Sequence, residues 1–295
     1  MSVDLIVQAI VSGITNGFVY ALIGVGIAII FKGTRIINAM QGEFAVIGGM
    51  VAVFALQSAG LPYALAIVLG IAAGAASGLA IDLLFVQPMT RRGASEESFL
   101  LLTIGLAFAL SAAALYFGGR DSHLLPAIGG DGVIEFLGAA MPVHAVALIA
   151  IAAALVLGLR FFYTRTLIGL AMTAASLDPD GATTSGINVR RMRSLTFLLG
   201  GAFGAIAGIL VTPLLAMNYQ MGIGLTLKGF AAAILGGLTN PLGAVAGALV
   251  LGLAESLAVL GFPSGYRDVV ALSMLIVIMI VLPNGLLGRA ARRGG

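Results

Sequence analysis

Long apolar runs alternate with short polar breaks along nearly the whole chain. Residues 5–31 make the first run, closed by Lys32 and Arg35, and residues 36–57 predict a second crossing only if it takes in Asn38, Gln41 and Glu43. That second crossing is polar at its start. Residues 61–86 follow, bounded by Pro62 and by Gln87, Pro88, Arg91 and Arg92, and then residues 99–117. A loop over 118–142 leads to a fifth run at 143–163, a polar stretch at 164–193, and a sixth run at 194–217. Residues 224–238 are short: about 15 residues cover roughly 22 Å, which falls below a hydrocarbon core about 30 Å thick, so this piece either crosses where the bilayer thins or is re-entrant. Residues 242–260 and 269–282 complete the set, and Pro283, Asn284 and Gly285 stop the last helix before a basic tail.

Runs of this length, rich in Ala, Leu, Ile and Gly, read as helices, because a barrel strand would alternate polar and apolar positions. The expected fold is all-α, a polytopic membrane helix bundle of about eight to nine transmembrane helices. It is expected to form a single transmembrane domain over 1–295, with a coupling loop at 164–193. Composition agrees: 60% of residues are hydrophobic and 9% charged, against about 25% charged in soluble domains, and mean hydropathy is +1.12. Residues 1–4 carry no basic residue and the run after them is too long for a cleavable signal, so it is expected to be the first span.

Charge adds orientation. With nine spans and the N-terminus outside, 12 of the 15 basic residues fall on the inner side, and only Arg120, Lys228 and Arg267 on the outer. The basic tail returns to the inner side only if residues 224–238 cross. The stretch 164–193 is then cytoplasmic. In it Asp178 can cap a helix, Pro179 fits the first position, Asp180 suits the positive N-terminal dipole and Gly186 suits the residue past the end, so a short helix is expected over 179–185. Too short to be stable alone, it is expected to rest on a partner or on neighbouring loops.

Polar residues within the spans are candidates for function or for helix pairing. Thr15 and Asn16 lie in the outer half of the first span. Asn38, Gln41 and Glu43 open the second, where an unwound turn would present them to a cavity; alternatively they bond neighbouring helices or lie in the headgroup layer. Asp82 is expected to snorkel or to pair with Arg91 or Arg92. Lys228 and Glu255 lie at similar depth on consecutive spans and are expected to form a structural ion pair. Glycines four residues apart, as in Gly13/Gly17, Gly70/Gly74/Gly78, Gly200/Gly204/Gly208 and Gly243/Gly247, predict close helix seams.

Catalytic constellations do not emerge. His123 and His144 show no metal-binding spacing, no serine has an assignable base, the chain has no cysteine, and there is no phosphate-binding loop. Neither enzymatic activity nor a cofactor or metal is expected in this chain, and the function is expected to be passage.

Five blocks then carry a resemblance: GITNGFVYALIGVG at 13–26, IINAMQGEFAVIGG at 36–49, GINVRRMRSLTF at 186–197, KGFAAAILGGLTNPLGAVAGALVLGLAE at 228–255 and LPNGLLG at 282–288. In this order they resemble the permease subunits of branched-chain amino acid ABC importers. The resemblance implies a bacterial inner-membrane subunit that pairs with a second related permease, binds two ATP-binding subunits and accepts substrate from a periplasmic binding protein. Passage as the function makes Thr15, Asn16, Asn38, Gln41 and Glu43 the substrate-pathway candidates, as polar residues within the spans, and the resemblance makes Asp178, Pro179, Asp180, Gly186 and Asn188 the expected ATPase-coupling element. Where the family usually has a phenylalanine and a histidine, this chain has Ala39 and Gln41. Its residues 170–173 are uncharged where the family is arginine-rich. Permeases for urea, amides or aromatic acids, and an ion-coupled secondary transporter, are the alternatives.

Overall fold

The computed structural model describes residues 3–136 and 138–261, together with Tyr266, Val269, Ser273, Ile276, Val277, Ile280, Gly285 and Leu286. Most of the expected last span at 269–282, and the basic tail beyond Leu286, lie outside the described residues. The helices are α1 (Val3–Thr34), α2 (Gln41–Gln57), α3 (Tyr63–Ile81), α4 (Gln87–Arg91), α5 (Glu96–Gly118), α6 (Val143–Arg165), α7 (Leu167–Leu177), α8 (Pro179–Thr184), α9 (Val189–Val211), α10 (Met221–Gly236) and α11 (Pro241–Ala258). A π-helical turn at Asp82–Val86 joins α3 to α4, and a hairpin of β1 (Val133–Phe136) and β2 (Ala139–Pro142) precedes α6. Among the described residues six helices are long and apolar enough to cross a membrane, and α2, α7 and α10 are shorter apolar helices. The protein is a multi-pass membrane helix bundle.

Helix α1 is the centre. From Val19 to Ile30 nearly every side chain is buried, enclosed by α6, α9, α10 and α11. Small residues make this enclosure possible. A Cβ placed on Gly13 would fall 2.9 Å from the Cα of Leu253, and one on Gly17 would fall 3.0 Å from the Cα of Leu249, so only glycine lets α1 and α11 approach this closely. Gly74 and Gly78 of α3 likewise meet Gly201, Phe197 and Ala205 of α9 at backbone contact. The expected glycine seams at 70–78, 200–208 and 243–247 all face backbone or Cβ atoms of neighbouring helices or turns.

The 32 residues of α1 span about 48 Å, well beyond a hydrocarbon core. Its surplus is clasped at one end, where the Gln8 amide donates to Ala140 O (3.1 Å) and accepts from Ala140 N (2.8 Å), filling hydrogen-bonding groups of β2. That end also holds a two-way backbone bridge between His123 and Met217 (2.8 and 2.7 Å), which ties the 119–132 loop to the link before α10. His144 is structural: its Nδ1 accepts from Ile128 N (3.0 Å), which leaves Nε2 to donate to Leu210 O (2.8 Å). The hairpin is an addition to the expected helices.

At the opposite end, Lys32, Arg160 and Asn240 line one cavity. Helix α10 therefore runs from the His123 end of the bundle to the Lys32 end, with no return on itself. The stretch at 164–193 is less loop-like than expected. Thr166 caps α7 by accepting from Gly169 N (3.0 Å), and α7 buries Gly169, Met172 and Ala175 while Leu167, Ile168 and Leu170 face outward.

Candidate functional site

The chain leaves α1 at Arg35, a non-glycine residue with φ of 60°, and runs without helix until α2 starts at Gln41. Gln41, whose amide donates to Gly200 O (2.8 Å), packs on Gly26 of α1. Gly26 lies eight residues from the end of α1 and Gly200 eleven from the start of α9, so Gln41 sits about 12–16 Å from that end, near mid-depth of a core about 30 Å thick. The polar start of α2 is therefore inside the bundle and well away from any headgroup layer.

Irregular backbone at that depth survives only if its polar groups find partners. The Thr103 hydroxyl of α5 accepts from Ala39 N (3.2 Å), and Met40 N donates to Asn38 Oδ1 (3.1 Å). Asn38 Nδ2 donates to Gln41 Oε1 (2.9 Å), linking the side chains, and Gly42 N donates to the Thr226 hydroxyl of α10 (2.8 Å). Asn38, Gln41 and Glu43 are all buried. Glu43 differs from the other two, since neither carboxylate oxygen has a hydrogen-bond partner among the described residues; its head fits against Gly222 in the first turn of α10, where a Cβ would collide with it.

Beside this segment lies an apolar cavity of about 250 Å³. Ile37 and Ala39 form one wall, Ile104 and Phe108 of α5 a second, and Leu227 and Phe230 of α10 a third, with Thr226 between them. Phe108 and Leu227 are exposed, so the cavity sits on an outward face of the bundle. The structure brings Asn38 and Gln41 together, with Glu43 one helical turn on. It leaves Thr15 and Asn16 apart: the Thr15 hydroxyl donates to Val11 O within its own helix (3.0 Å), and among the described residues no hydrogen bond joins either to the 38–43 segment. Sequence reasoning missed Thr103 and Thr226, threonines flanked by apolar residues in α5 and α10.

Two charged clusters brace the bundle. Lys228 Nζ lies 3.5 Å from Glu255 Oε2, and Tyr20 of α1 completes the group, its hydroxyl donating to Glu255 Oε2 (2.7 Å) and accepting from Lys228 (3.2 Å). Asp82 requires a correction. It neither snorkels nor pairs with Arg91 or Arg92, but is fully buried, accepting from Arg193 Nε (3.1 Å), the Ser194 hydroxyl (2.6 Å) and Gln87 Nε2 (2.9 Å). Arg91, nine residues on, would lie on the opposite face of a regular helix and about 13 Å away, whereas the first turns of α9 pass directly beside the π-turn.

Arg193 thereby ties the π-turn to α9, and its Nη1 donates to the Thr90 hydroxyl of α4 (2.8 Å). In α8 the Asp178 carboxylate accepts from Gly181 N (2.9 Å), Pro179 takes the first position, Asp180 lies in the first turn, and the helix ends at Thr184, one residue short of the expected 185. Gly186, with φ of 82°, makes the left-handed turn after it, and Asn188 Oδ1 accepts from Arg191 N (3.0 Å) to cap α9. A polar groove lined by Thr183, Gly186, Asn188, Arg190 and Arg191 opens there.

Comparison with known proteins agrees with this architecture. Residues 9–279 match the family described as branched-chain amino acid transport system / permease component. The chain is 32% identical over 296 residues to the high-affinity branched-chain amino acid transport system permease protein LivH of Escherichia coli (strain K12), covering 96% of this chain and 95% of that one. It is 31% identical over 301 residues to the corresponding protein BraD of Pseudomonas aeruginosa, with the same coverage, and 28% identical over 281 residues to a probable LivH of Methanocaldococcus jannaschii, covering 90% of this chain and 88% of that one. This chain belongs to the family of branched-chain amino acid transport system permease components.

Proposed function

We propose that this chain is the permease subunit of an ATP-driven importer of branched-chain or related hydrophobic amino acids, and that it forms the translocation path with a second, related permease. The observation that carries the reading is the mid-depth break at residues 35–40 beside an apolar cavity of about 250 Å³ whose polar features are Thr226 and unwound backbone. That volume lies just below the roughly 300–1,000 Å³ of drug-sized ligand sites and suits a small aliphatic or aromatic side chain. The outward position of the cavity leaves its fourth wall to the partner permease. Urea and short amides would ask for more hydrogen-bonding groups than this lining offers.

In this reading two ATP-binding subunits hydrolyse ATP and dock on α8 and the groove beside it, and a periplasmic binding protein delivers substrate at the hairpin end. The chain lies in the bacterial inner membrane with its N-terminus outside. Closure of the ATPases pushes α8, and the push reaches α4 and α9 through the Asp82–Arg193 contact. The test is uptake of labelled leucine, valine and phenylalanine by proteoliposomes holding the full complex and its binding protein. Uptake should need ATP and stop with an ATPase-inactive partner; uptake that continues on an ion gradient alone would favour a secondary transporter and sink the proposal.

A further inference from the structure

A second cavity, of about 190 Å³, lies at the opposite end from the hairpin, between the last turns of α1 and α6 and the first turn of α11. Lys32 and Arg160 line it, with Thr164, and among the described residues no carboxylate does. Among the described residues neither cation makes a salt bridge, since the two that occur are Arg193–Asp82 and Lys228–Glu255. The Lys32 ammonium is instead seated 4.2 Å from the centre of the Tyr163 ring, and the buried Tyr163 hydroxyl has no hydrogen-bond partner among the described residues. The start of α11 at Pro241 adds its positive helix end to the same space. Two cations, an unmatched hydroxyl and a helix N-terminus without any acid make a site for an anion.

We propose that this cavity binds the phosphate of an anionic lipid headgroup. The lining is graded: Arg160 and Thr164 are exposed at the rim, while Leu159 and, about one helical turn deeper than Arg160 along α6, Val156 are buried and apolar. A free phosphate would gain nothing from that apolar floor, whereas the glycerol and first acyl carbons of a phospholipid would cover it. The site lies at the Lys32 end of the spans, the side that the distribution of basic residues assigns to the inner leaflet.

The test is native mass spectrometry of the purified full-length chain after exchange into mixed phosphatidylglycerol and phosphatidylcholine. The wild type should retain phosphatidylglycerol preferentially. The double variant Lys32→Gln, Arg160→Gln should lose at least about tenfold of that preference, because each basic residue at a membrane surface strengthens anionic-lipid attraction about fivefold. Arg165→Gln, outside the cavity, should keep it, and so should Lys32→Arg. If the double variant elutes as a misfolded species, Arg160→Gln alone carries the test with an expected loss of about fivefold. Undiminished preference in a folded variant overturns the proposal, and so does complete displacement of the lipid by an equal concentration of inorganic phosphate, which would assign the site to free phosphate.

Discussion

Lys228, Glu255 and Tyr20 show what a buried charge requires in this bundle. Glu255 is almost wholly enclosed, and its Oε2 takes a hydroxyl from α1 and an ammonium from α10. Removing the cation takes a charged partner from a desolvated carboxylate, a change that costs up to roughly 3–5 kcal/mol in proteins, whereas removing only the phenol oxygen forfeits a charge-assisted hydrogen bond of about 1.5–3 kcal/mol. Lys228→Met should therefore lower the melting temperature of the purified chain in lipid more than Tyr20→Phe. The exchange Lys228→Glu with Glu255→Lys should recover part of the loss. Gly78 makes a different demand: it faces the Phe197 carbonyl of α9 at a separation that excludes a Cβ. Gly78→Val should part α3 from α9 and abolish recovery of folded protein, read as loss of the monodisperse peak in size-exclusion chromatography.

At the scale of the element, α8 is six residues long and depends on its ends. Asp178→Ala removes its cap, at a cost of about 1 kcal/mol. Deletion of 179–185 with membrane insertion intact should leave ATP hydrolysis by the assembled complex while uptake falls to background; normal uptake would remove α8 from the coupling role. This helix was legible because Asp178, Pro179 and Gly186 act through local backbone rules. The six long helices were legible because a bilayer imposes a length and an apolar composition on each. Helix α7 was not, since Leu167–Leu177 is only 11 residues and the charges on both sides of it give the surroundings the look of a loop; the cap at Thr166 was its one local sign. The hairpin depends on Gln8, more than a hundred residues away. Tyr20 reads as one more apolar position until α10 and α11 bring Lys228 and Glu255 to it. Asp82 was assigned the wrong arginines because a π-turn, which sequence does not announce, and the nearness of α9 decide its partner. In the candidate site, Asn38, Gln41 and Glu43 stood out as polar residues in an apolar run, while Thr103 and Thr226 did not, because a lone threonine in a membrane helix commonly bonds its own backbone.

For the whole molecule, the outward cavity and the absence of native cysteine make two measurements direct. Ala39 is a small residue on the wall of that cavity. Ala39→Phe should narrow it and lower uptake of phenylalanine more than that of valine, measured as the ratio of the two initial rates in proteoliposomes. Thr184→Cys gives a chain with a single thiol, and a membrane-impermeant maleimide added outside should label it in inverted vesicles and not in right-side-out ones. The burial of α1 also bears on how the protein is made. This helix leaves the ribosome well before α9, α10 and α11, which supply most of the surface that encloses it and the last of which begins about 200 residues later. At about 5–20 residues per second α1 waits roughly 10–40 s in bilayer or insertion machinery before its neighbours exist. It can wait because its core stretch is apolar on every side and its closest seams are glycine, which asks nothing of lipid. Had Lys228 or Glu255 been placed on α1, an unmatched charge would have spent that interval in hydrocarbon; the chain instead puts Tyr20 there and carries the two ions on the consecutive helices α10 and α11, which are synthesised together.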